Sequence, residues 1–366
     1  MAPSVDTQAT PTIHNNEQHP LKSTTRFNHK EPLKAAGVLG PNYFETTTII
    51  GREYPEAQIS EWMNSPRRDE FIRDLAITVS ERGVVFFRKQ KDLTVEMQKE
   101  LIDLIGRLSG KPSTSGLHVH PLIEGKKDVG INDKGDIDEH ISVISSQLNR
   151  KLHLASRYTF ASKAWHSDMT FEHVPSDYAV LKMRIVPPTG GDTIWASGYE
   201  MYDRLSKPYQ KFLESLTAKH ANPDFIESSK RVGFEIHPGP RGALENVGQD
   251  LIASHPVIRT NPVTGWKSVY GALNQIQQLN ELTKQESDEV LKYLGQLVTN
   301  NHDLQVRFKW GVDDVAIWDN RSTFHTGTGD VDVNHIRTGN RAVSMGEVPY
   351  LDPLSTSRRE ALGEFE

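Results

Sequence analysis

Hydrophobic residues recur every three to four positions in four stretches of the chain, and this spacing predicts four amphipathic helices. The first is expected from about 66 to 83, and the second follows Thr94, a residue type that caps helix N-termini. A third helix is expected near 207–218. The fourth, at 283–298, begins with the capping-box sequence Thr-Lys-Gln-Glu, in which two side chains satisfy free backbone amides.

Continuous apolar runs and strict alternation of apolar and polar residues predict β-strands in the remainder. The expected strands lie at 84–87, 178–186, 193–195, 304–310, 315–318 and 341–345. A Pro-Pro-Thr-Gly-Gly turn separates the second of these strands from the third, which predicts a β-hairpin. Strands outnumber helices and do not alternate with them as βαβ units would. The pattern therefore favours a mainly β fold, a barrel or sandwich with helical additions, over a Rossmann-type sheet.

Two polar stretches stand apart from the predicted core. Residues 1–40 lack an apolar period, which predicts a mobile N-terminal tail. The rest of the chain, 41–366, is interpreted as a single domain. Within it, the polar stretch 124–164 is unusually long for a connector, and such loops are either functional lids or disordered insertions. A lid is the favoured interpretation.

Composition and charge narrow the classes of partner. The 366 residues include 42 Lys and Arg against 48 Asp and Glu, a formal charge of −6, so no positive field is available for nucleic acid. No apolar run is long enough to span a bilayer, and the N-terminus lacks the basic and apolar regions of a signal peptide. No membrane partner is therefore expected, and a cytoplasmic location fits best. The absence of cysteine excludes disulfides and thiolate metal sites, so any metal must bind to His, Asp or Glu.

A Trp-His-Ser-Asp sequence contains the first candidate metal ligands, His166 and Asp168. On a strand these two residues point to one face and offer an imidazole and a carboxylate to one ion. An iron site with two His and one carboxylate needs a further imidazole, which His325 can supply because it follows a predicted strand. One His-x-Asp is expected by chance in a chain with 15 His, so a surface ion pair is the alternative. His118 and His120 form a second i, i+2 pair and are the main rival, as a zinc site.

Two arginines and a turn threonine are candidates for anion binding. Arg337 and Arg341 follow the third imidazole, and a guanidinium binds a carboxylate or sulfonate through two parallel hydrogen bonds. Arg341 opens an apolar strand, where an unpaired charge is costly, so a bound anion would explain it; salt bridges at a barrel rim are the alternative. Thr193 follows a Gly-Gly-Asp turn that could place its hydroxyl at the barrel mouth. Val343 and Met345 share a strand face with Arg341 and are expected either to line the pocket or to belong to the core.

Six blocks of sequence, in order along the chain, give it a resemblance to a known family. They are His118-Val119-His120-Pro121, Trp165-His166-Ser167-Asp168, Pro188-Thr189-Gly190-Gly191-Asp192-Thr193-Ile194-Trp195, His255-Pro256-Val257, Trp318-Asp319-Asn320-Arg321-Ser322-Thr323-Phe324-His325 and Arg337 to Arg341. From about residue 40 to 355 the chain resembles the Fe(II)/2-oxoglutarate-dependent taurine dioxygenase (TauD/TfdA) family, in its fungal sulfonate-dioxygenase-like branch. The resemblance implies a double-stranded β-helix, a cupin-like jelly roll with helical additions.

The resemblance also implies a role for each candidate residue. The implied iron ligands are His166, Asp168 and His325. Thr193 and Arg337 would hold the distal carboxylate of 2-oxoglutarate, and His120 and Arg341 would hold the anionic end of the primary substrate.

Three implied substrate contacts differ from those of sulfonate-cleaving members of the family. These positions carry Ile123, Ser162 and Tyr270 in this chain, and the segment Asn274 to Gln278 replaces a more basic stretch. The iron and cosubstrate positions are intact. The pattern therefore supports the reaction class and weakens an assignment to taurine.

The implied activity is that of a non-haem dioxygenase of secondary metabolism that uses Fe(II), 2-oxoglutarate and O₂. It would oxidise a C–H bond of a small anionic substrate, either an amino acid or other small carboxylic acid or an alkyl sulfonate, and release succinate and CO₂. The alternative within the family is a taurine or sulfonate dioxygenase that releases sulfite and an aldehyde. An alternative of another class is a non-catalytic metal-binding jelly roll. Related enzymes commonly form dimers or tetramers, so a homo-oligomer stays open.

Overall fold

The computed structural model describes residues 29–122, 132–147, 161–233 and 235–364. Within these ranges the strands are β1 (Phe44–Glu45), β2 (Arg52–Tyr54), β3 (Val84–Phe87), β4 (Ser142–Ser145), β5 (Ser176–Ile185), β6 (Thr193–Ser197), β7 (Thr217–Ala221), β8 (Ile252–Pro256), β9 (Ile258–Thr260), β10 (Lys267–Val269), β11 (Ile276–Leu279), β12 (Gln305–Phe308), β13 (Val315–Asp319), β14 (Thr323–Gly327) and β15 (Thr338–Met345). The helices are α1 (Ile59–Met63), α2 (Arg68–Arg82), α3 (Val95–Leu108), α4 (Gly198–Asp203), α5 (Lys207–Glu214), α6 (Pro223–Val232), α7 (Lys284–Thr299) and α8 (Arg358–Leu362). The fold is thus mixed, with helices packed around several sheets.

The largest sheet has seven strands in the order β1-β2-β3-β13-β5-β15-β4. Strand β13 lies at its centre and pairs antiparallel with both β3 and β5. All five residues of β13 are buried, which explains why the strand reads as a continuous apolar run up to Asp319. Strand β15 pairs with β5 on one side and with the edge strand β4 on the other.

A three-stranded sheet, β12-β6-β14, shares its core with the seven-stranded sheet. The core cluster includes Phe86, Leu181, Ala316 and Val343 from the larger sheet and Trp195, Val306 and Phe308 from the smaller one. Strands β5 and β6 therefore belong to different sheets, and the hairpin predicted between 178–186 and 193–195 is wrong. Its turn instead carries the chain from one sheet to the other, with Gly190 and Gly191 at φ values of 74° and 73°.

Helices α1 to α3 cover the other face of the seven-stranded sheet, where their apolar side chains form a second core cluster. Two predicted helix ends are confirmed by their capping geometry. Helix α2 ends at Gly83, which has a φ of 74°, and α3 begins after Thr94, whose side chain accepts a hydrogen bond from the Met97 amide. These caps fix where the chain leaves the helical layer and enters the sheet.

A third core cluster lies on the outer side of the three-stranded sheet, among α4, α5, α7 and the strands β7 to β11. Helix α7 begins with the predicted capping box. Helix α5 ends at Glu214, so the helix predicted for 207–218 is too long. Residues 217–221 form β7 instead, because pairing with β8 and β11 satisfies their backbone groups. No helix of the described ranges is long and apolar enough to cross a membrane.

The predicted N-terminal tail is partly an ordered arm. The Leu33 amide donates a hydrogen bond of 2.8 Å to the Val263 carbonyl, and the amides of Ala36 and Val38 donate to the Asp74 carboxylate. Residues 29–40 are therefore corrected from a mobile tail to a segment fixed on the domain surface. Residues 1–28 lie outside the described part of the chain.

The predicted lid at 124–164 contains a strand of the main sheet. Residues 142–145 form β4, which pairs with β15 in the register Ser142 to Arg341. This part of the segment is therefore corrected from lid to edge strand. Residues 124–131 and 148–160 lie outside the described residues, and a lid role for them stays a prediction.

Candidate active site

Backbone pairing brings the predicted metal ligands together. His166 forms an isolated antiparallel bridge with His325, which lies on β14. The amide of each residue donates to the carbonyl of the other, at 3.0 Å and 2.8 Å. The two imidazole rings therefore lie side by side, with centroids 4.3 Å apart. Asp168, two residues after His166, lies on the same side.

The three side chains are spaced for one metal ion. The Nε2 atoms of His166 and His325 each lie 3.9 Å from Asp168 Oδ1, and one ligand atom from each residue lies within 4.8 Å of the others. His166 Nδ1 is 2.7 Å from the Ala164 carbonyl and donates to it, which leaves the Nε2 lone pair free to face the cluster. Asp168 and His325 are buried, and His166 is half-buried.

Hydrogen bonds hold Asp168 at its amide, its carbonyl and one of its two carboxylate oxygens. Its amide donates to Asn320 Oδ1 at 3.1 Å, and Trp318 Nε1 donates to the same oxygen at 3.0 Å. Ser176 donates to the Asp168 carbonyl, and Arg341 donates to Asp168 Oδ1. Asp168 Oδ2 is buried and has no hydrogen-bond partner among the described residues. A buried carboxylate oxygen without a partner is costly unless it binds something else, and a cation would satisfy it.

The charge states of the cluster also suit a cation. Burial disfavours the ionised form of Asp168, but the neighbouring Arg341, His325 and His166 outweigh it, so the pKa of Asp168 lies below its usual value. Burial lowers the pKa of His325 to about 3, and His166 contributes to the shift. At neutral pH the site therefore offers one anionic and at least one neutral nitrogen ligand, which is the form a metal needs.

The donor set identifies the type of metal site. Two imidazoles and one carboxylate with open positions are the ligand set of non-haem Fe(II) oxygenases. The residues present therefore fit an iron ion. Among the described residues, this is the one group of three or more His, Asp and Glu close enough to hold a metal.

His118 and His120, the alternative zinc pair, do not direct their ring nitrogens toward a common position. His118 Nε2 lies 3.7 Å from Glu172 Oε1, and the Glu172 carboxylate is held by both Nε and Nη2 of Arg241. His120 instead lines the large cavity. The i, i+2 spacing thus sends the two rings to different neighbours, and the zinc interpretation is wrong.

Thr193 and Arg337 contact each other in the cavity that the metal cluster also lines. Arg337 Nε donates to the Gly191 carbonyl at 2.7 Å, and Arg337 Nη2 lies 3.2 Å from Thr193 Oγ1. Trp310 Nε1 donates to the same hydroxyl oxygen at 3.0 Å. Because two donors occupy both acceptor positions of Thr193 Oγ1, its own O–H is left to donate into the cavity. Burial lowers the pKa of Arg337 to about 10, with Asp192 opposing the shift, so the guanidinium stays charged at neutral pH.

Arg341 and His120 form a second pair in the same cavity. His120 Nδ1 accepts a hydrogen bond of 3.1 Å from the Leu122 amide, so the neutral ring carries its proton on Nε2. Burial, together with His118 and Arg341, places the pKa of His120 well below its usual value. His120 is therefore a neutral hydrogen-bond donor next to a cationic arginine.

One cavity of about 830 Å³ is lined by the three metal-cluster residues and by both pairs, namely His166, Asp168, His325, Thr193, Arg337, His120 and Arg341. Sequence reasoning missed most of its other walls, which include β4, Phe171, Phe225 and Asn222. The sequence identifies the segment that begins at Asn274 only as a departure from the family. Asn274, Gln275 and Gln277 do line the cavity. The apolar walls carry no chemical signature in the sequence, because aliphatic and aromatic residues have the same pattern in a core.

Four predicted substrate contacts lie elsewhere in the described structure, and the fifth, Ile123, lies outside the described residues. Ser162 is exposed on a short 3₁₀ turn and is not part of the cavity wall. Tyr270 is buried beneath Arg259, whose guanidinium carbon lies 4.7 Å from the ring centroid. These two residues are therefore corrected from substrate contacts to structural positions.

Val343 and Met345 are also absent from the cavity wall. Both belong to the core cluster between the two sheets. They share a face with Arg341, as the strand period predicts, but lie deeper along β15. The pocket-lining interpretation is corrected to the core interpretation.

Comparisons with known proteins identify the family of this chain. The family model "Taurine catabolism dioxygenase TauD, TfdA family" matches residues 40–343. The alpha-ketoglutarate-dependent dioxygenase btcD of Neocamarosporium betae is 47% identical over 91% of this chain and 98% of its own length. The alpha-ketoglutarate-dependent sulfonate dioxygenase of Saccharomyces cerevisiae is 30% identical over 84% of this chain and 67% of its own length. The crystal structure of a taurine dioxygenase from Burkholderia xenovorans superposes with a TM-score of 0.61, at 24% identity, over 84% of this chain and 91% of that one.

A His-Asp-His metal group within this fold, together with those relatives, defines a non-haem Fe(II) dioxygenase that depends on 2-oxoglutarate (alpha-ketoglutarate). The chain belongs to the TauD/TfdA family.

Proposed function

We propose that this dioxygenase oxidises a C–H bond of a carboxylic acid, converting substrate, 2-oxoglutarate and O₂ to hydroxylated product, succinate and CO₂. The observation that carries the proposal is that one cavity is lined by both the metal cluster and two arginines, Arg337 and Arg341. Each guanidinium would bind one carboxylate, that of the cosubstrate or that of the substrate. One oxygen atom of O₂ enters succinate and the other enters the product.

His166 Nε2, Asp168 and His325 would hold the iron. When bound, Fe(II) supplies the activation of O₂ and the oxidative decarboxylation of 2-oxoglutarate. The protein contributes the geometry, because the His166 ring is fixed by its hydrogen bond to the Ala164 carbonyl. Asp168 stays ionised beside Arg341 and so presents an anionic oxygen at the centre of the cluster.

The two anion-binding pairs would orient the two organic acids. Arg337 and Thr193 would bind the distal carboxylate of 2-oxoglutarate through a charged donor and a hydroxyl proton. Arg341 and the Nε2–H of His120 would bind the acid group of the substrate. Both pairs act by position and charge, and neither needs to transfer a proton.

The substrate class is proposed as a carboxylic acid of secondary metabolism, an amino acid derivative or another organic acid, rather than an alkyl sulfonate. The 47% identical relative is described simply as an alpha-ketoglutarate-dependent dioxygenase, whereas the sulfonate dioxygenase is 30% identical. A guanidinium binds either anion, so Arg341 itself does not decide between them.

We also propose that the seven-stranded and three-stranded sheets together form a double-stranded β-helix. Their shared core and antiparallel pairing support this description. The metal cluster would then lie at the open end of the jelly roll, between the two sheets.

The test is succinate formation by the Fe(II)-loaded protein with a panel of carboxylic acids and alkyl sulfonates. Alanine substitutions at His166, Asp168 and His325 should each abolish metal-dependent succinate formation and tight Mn(II) binding, because two remaining ligands hold the ion weakly. His335→Ala, an exposed histidine outside the cavity, is the matched control and should change neither. Retained turnover in any of the three variants would overturn the site. Sulfite released in proportion to succinate would instead establish the sulfonate activity.

A further inference from the structure

We propose that the primary substrate is an elongated acid much larger than taurine or a free amino acid. Its acid group would bind Arg341, its apolar body would lie along Phe171 and Phe225, and a carbonyl or similar acceptor would meet the side-chain amide of Gln275. This inference rests on the proposed function and leaves its oxidation chemistry unchanged.

The size of the cavity is the first argument. The cavity is open on one side and has a volume of about 830 Å³. Taurine and 2-oxoglutarate together contain about 17 non-hydrogen atoms, and even a full water-sized share of about 30 Å³ for each atom requires only about 500 Å³. Roughly 300 Å³ would stay unfilled around so small a substrate, which would then lack the packing that holds one C–H bond near the metal.

Aromatic side chains form the wall next to the substrate acid site. Phe171 and Phe225 pack edge to face with centroids 5.9 Å apart, and Phe225 also lies 5.1 Å from the His120 ring. Phe225 is fixed at the start of α6, where its amide donates to the side chain of Asn222. This surface suits an apolar or aromatic body attached to the acid group.

A preoriented amide lies in a wall formed by a separate sheet. The Gln275 carbonyl accepts a hydrogen bond of 2.8 Å from the Ala221 amide, which fixes the backbone before β11. The buried hydroxyl of Thr170 donates to Gln275 Oε1 at 2.5 Å. No hydrogen bond within the described part of the chain uses Gln275 Nε2, so its two N–H donors are available in the cavity wall. Because Arg341 belongs to the seven-stranded sheet, a ligand that touches both residues must cross the cavity.

The distribution of charge argues against a free amino acid. An ammonium group needs a carboxylate, and the carboxylates in the described cavity wall are Asp168, Asp192 and Asp224. Asp168 belongs to the metal cluster and pairs with Arg341, and Asp192 pairs with Arg307 at 2.7 Å. Asp224 is exposed. Of the described wall, only the exposed Asp224 is left to pair with an ammonium group, so the part of the substrate body next to the acid group is expected to be neutral.

A homologous series of acids tests the inference without knowledge of the natural substrate. The full chain, loaded with Mn(II) and 2-oxoglutarate, is titrated calorimetrically with N-acylglycines from acetyl to octanoyl and with alkanoic acids of matched length that lack the amide. Each buried methylene should tighten binding about 2–4-fold over the middle of both series. Gln275→Ala should weaken the N-acylglycines about 3–10-fold and leave the alkanoic acids unchanged. Gln278→Ala is the matched control, because Gln278 Nε2 donates to the Leu282 carbonyl and is not part of the cavity wall.

The outcomes separate this inference from the proposed function. Tightest binding of taurine and acetylglycine, with affinity falling along the series, would overturn the large substrate while 2-oxoglutarate-dependent succinate formation still supported the dioxygenase. Alkanols of the same lengths, which lack the acid group, provide a further comparison. If they bound as tightly as the acids, the large acidic substrate would also be overturned, since the acid group would then contribute nothing to binding. Equal weakening of both series by Gln275→Ala would remove Gln275 from substrate recognition. Failure of the metal-loaded protein to form succinate with any acid would overturn the proposed function instead.

Discussion

Replacing Arg337 with alanine should weaken the binding of 2-oxoglutarate far more than replacing Thr193 with valine. Arg337 donates through Nε to the Gly191 carbonyl and through Nη2 to Thr193, and no hydrogen bond of the described structure uses its Nη1. That nitrogen is therefore free for a carboxylate. Thr193 Oγ1 already accepts from Arg337 and Trp310, so it contributes one neutral donor.

The expected magnitudes follow from this difference. Hydrogen bonds to charged groups contribute about 1.5–3 kcal/mol, so Arg337→Ala should raise the dissociation constant of 2-oxoglutarate by a factor of about 10–150. A neutral hydrogen bond contributes about 0.5–1.5 kcal/mol, so Thr193→Val should raise it about 2–12-fold. Calorimetric titration of the Mn(II)-loaded protein measures both constants directly. Because the pKa of Arg337 is about 10, the difference should hold unchanged from pH 6.5 to 8.5.

A nearby arginine provides the control. Arg307 lies on β12, pairs with Asp192 at 2.7 Å and is not part of the cavity wall. Arg307→Ala removes the same charge from the same region and should leave 2-oxoglutarate binding within about twofold, because exposed ion pairs contribute little. A weakening by Arg307→Ala as large as that by Arg337→Ala would refute the reasoning, since the effect would then reflect general electrostatic attraction.

Two further predictions concern the support around the site. Gly191→Ala should weaken 2-oxoglutarate binding, because Gly191 has a φ of 73° and a Cβ at this position would lie 2.9 Å from Arg337 Cδ. Gly363→Ala is the control: its φ of 70° gives similar backbone strain, but no atom lies near the added Cβ. Calorimetric titration of this control should show unchanged binding of 2-oxoglutarate. His255→Gln should make stability less sensitive to acid. Burial lowers the pKa of His255 to about 4, so between pH 6.5 and 4 only the unfolded chain binds this proton and the free energy of unfolding falls as the pH drops. Urea titrations at pH 7 and 4.5 should show about 2 kcal/mol less of this loss in the variant, whereas exposed His335→Gln should behave like the unmodified protein.

The metal cluster could be predicted because its geometry is local. His166 and Asp168 are only two residues apart, His166 in an isolated bridge and Asp168 at the start of a turn, so the chain keeps the two side chains close together. The pairing of His166 with His325 is a long-range contact, and the sequence pattern showed only that His325 follows a strand. The choice of His325 as the third ligand came from its residue type and from the family resemblance, because spacing along the chain does not show which distant residues meet. The contact of Arg341 with Asp168 had no signal in the sequence, since it depends on how β15 lies against the segment before β5.

The wrong hairpin has a different physical origin. A Pro-Pro-Thr-Gly-Gly turn with two positive-φ glycines can reverse the chain within one sheet or carry it across to another, because turn chemistry specifies a local direction and not a pairing partner. Pairing is decided by which strands complete each sheet. Here β5 lies between β13 and β15, and β6 lies between β12 and β14, so neither has a free edge for the other.

Depth along a strand explains the error at Val343 and Met345. Alternation correctly places both on the face of Arg341, but it assigns them no distance from the cavity. The strand register shows how far each residue lies from the cavity. Arg341 lies opposite Leu181, which lines the cavity. Val343 lies opposite Ala179 and Met345 lies opposite Ser176, and neither Ala179 nor Ser176 lines the cavity. Because β15 runs from the cavity into the core between the sheets, each step of two residues along it moves away from the substrate. Selectivity for the substrate body is therefore expected from walls that come from other elements, α6 and the segment before β11, and not from the strand that carries Arg341.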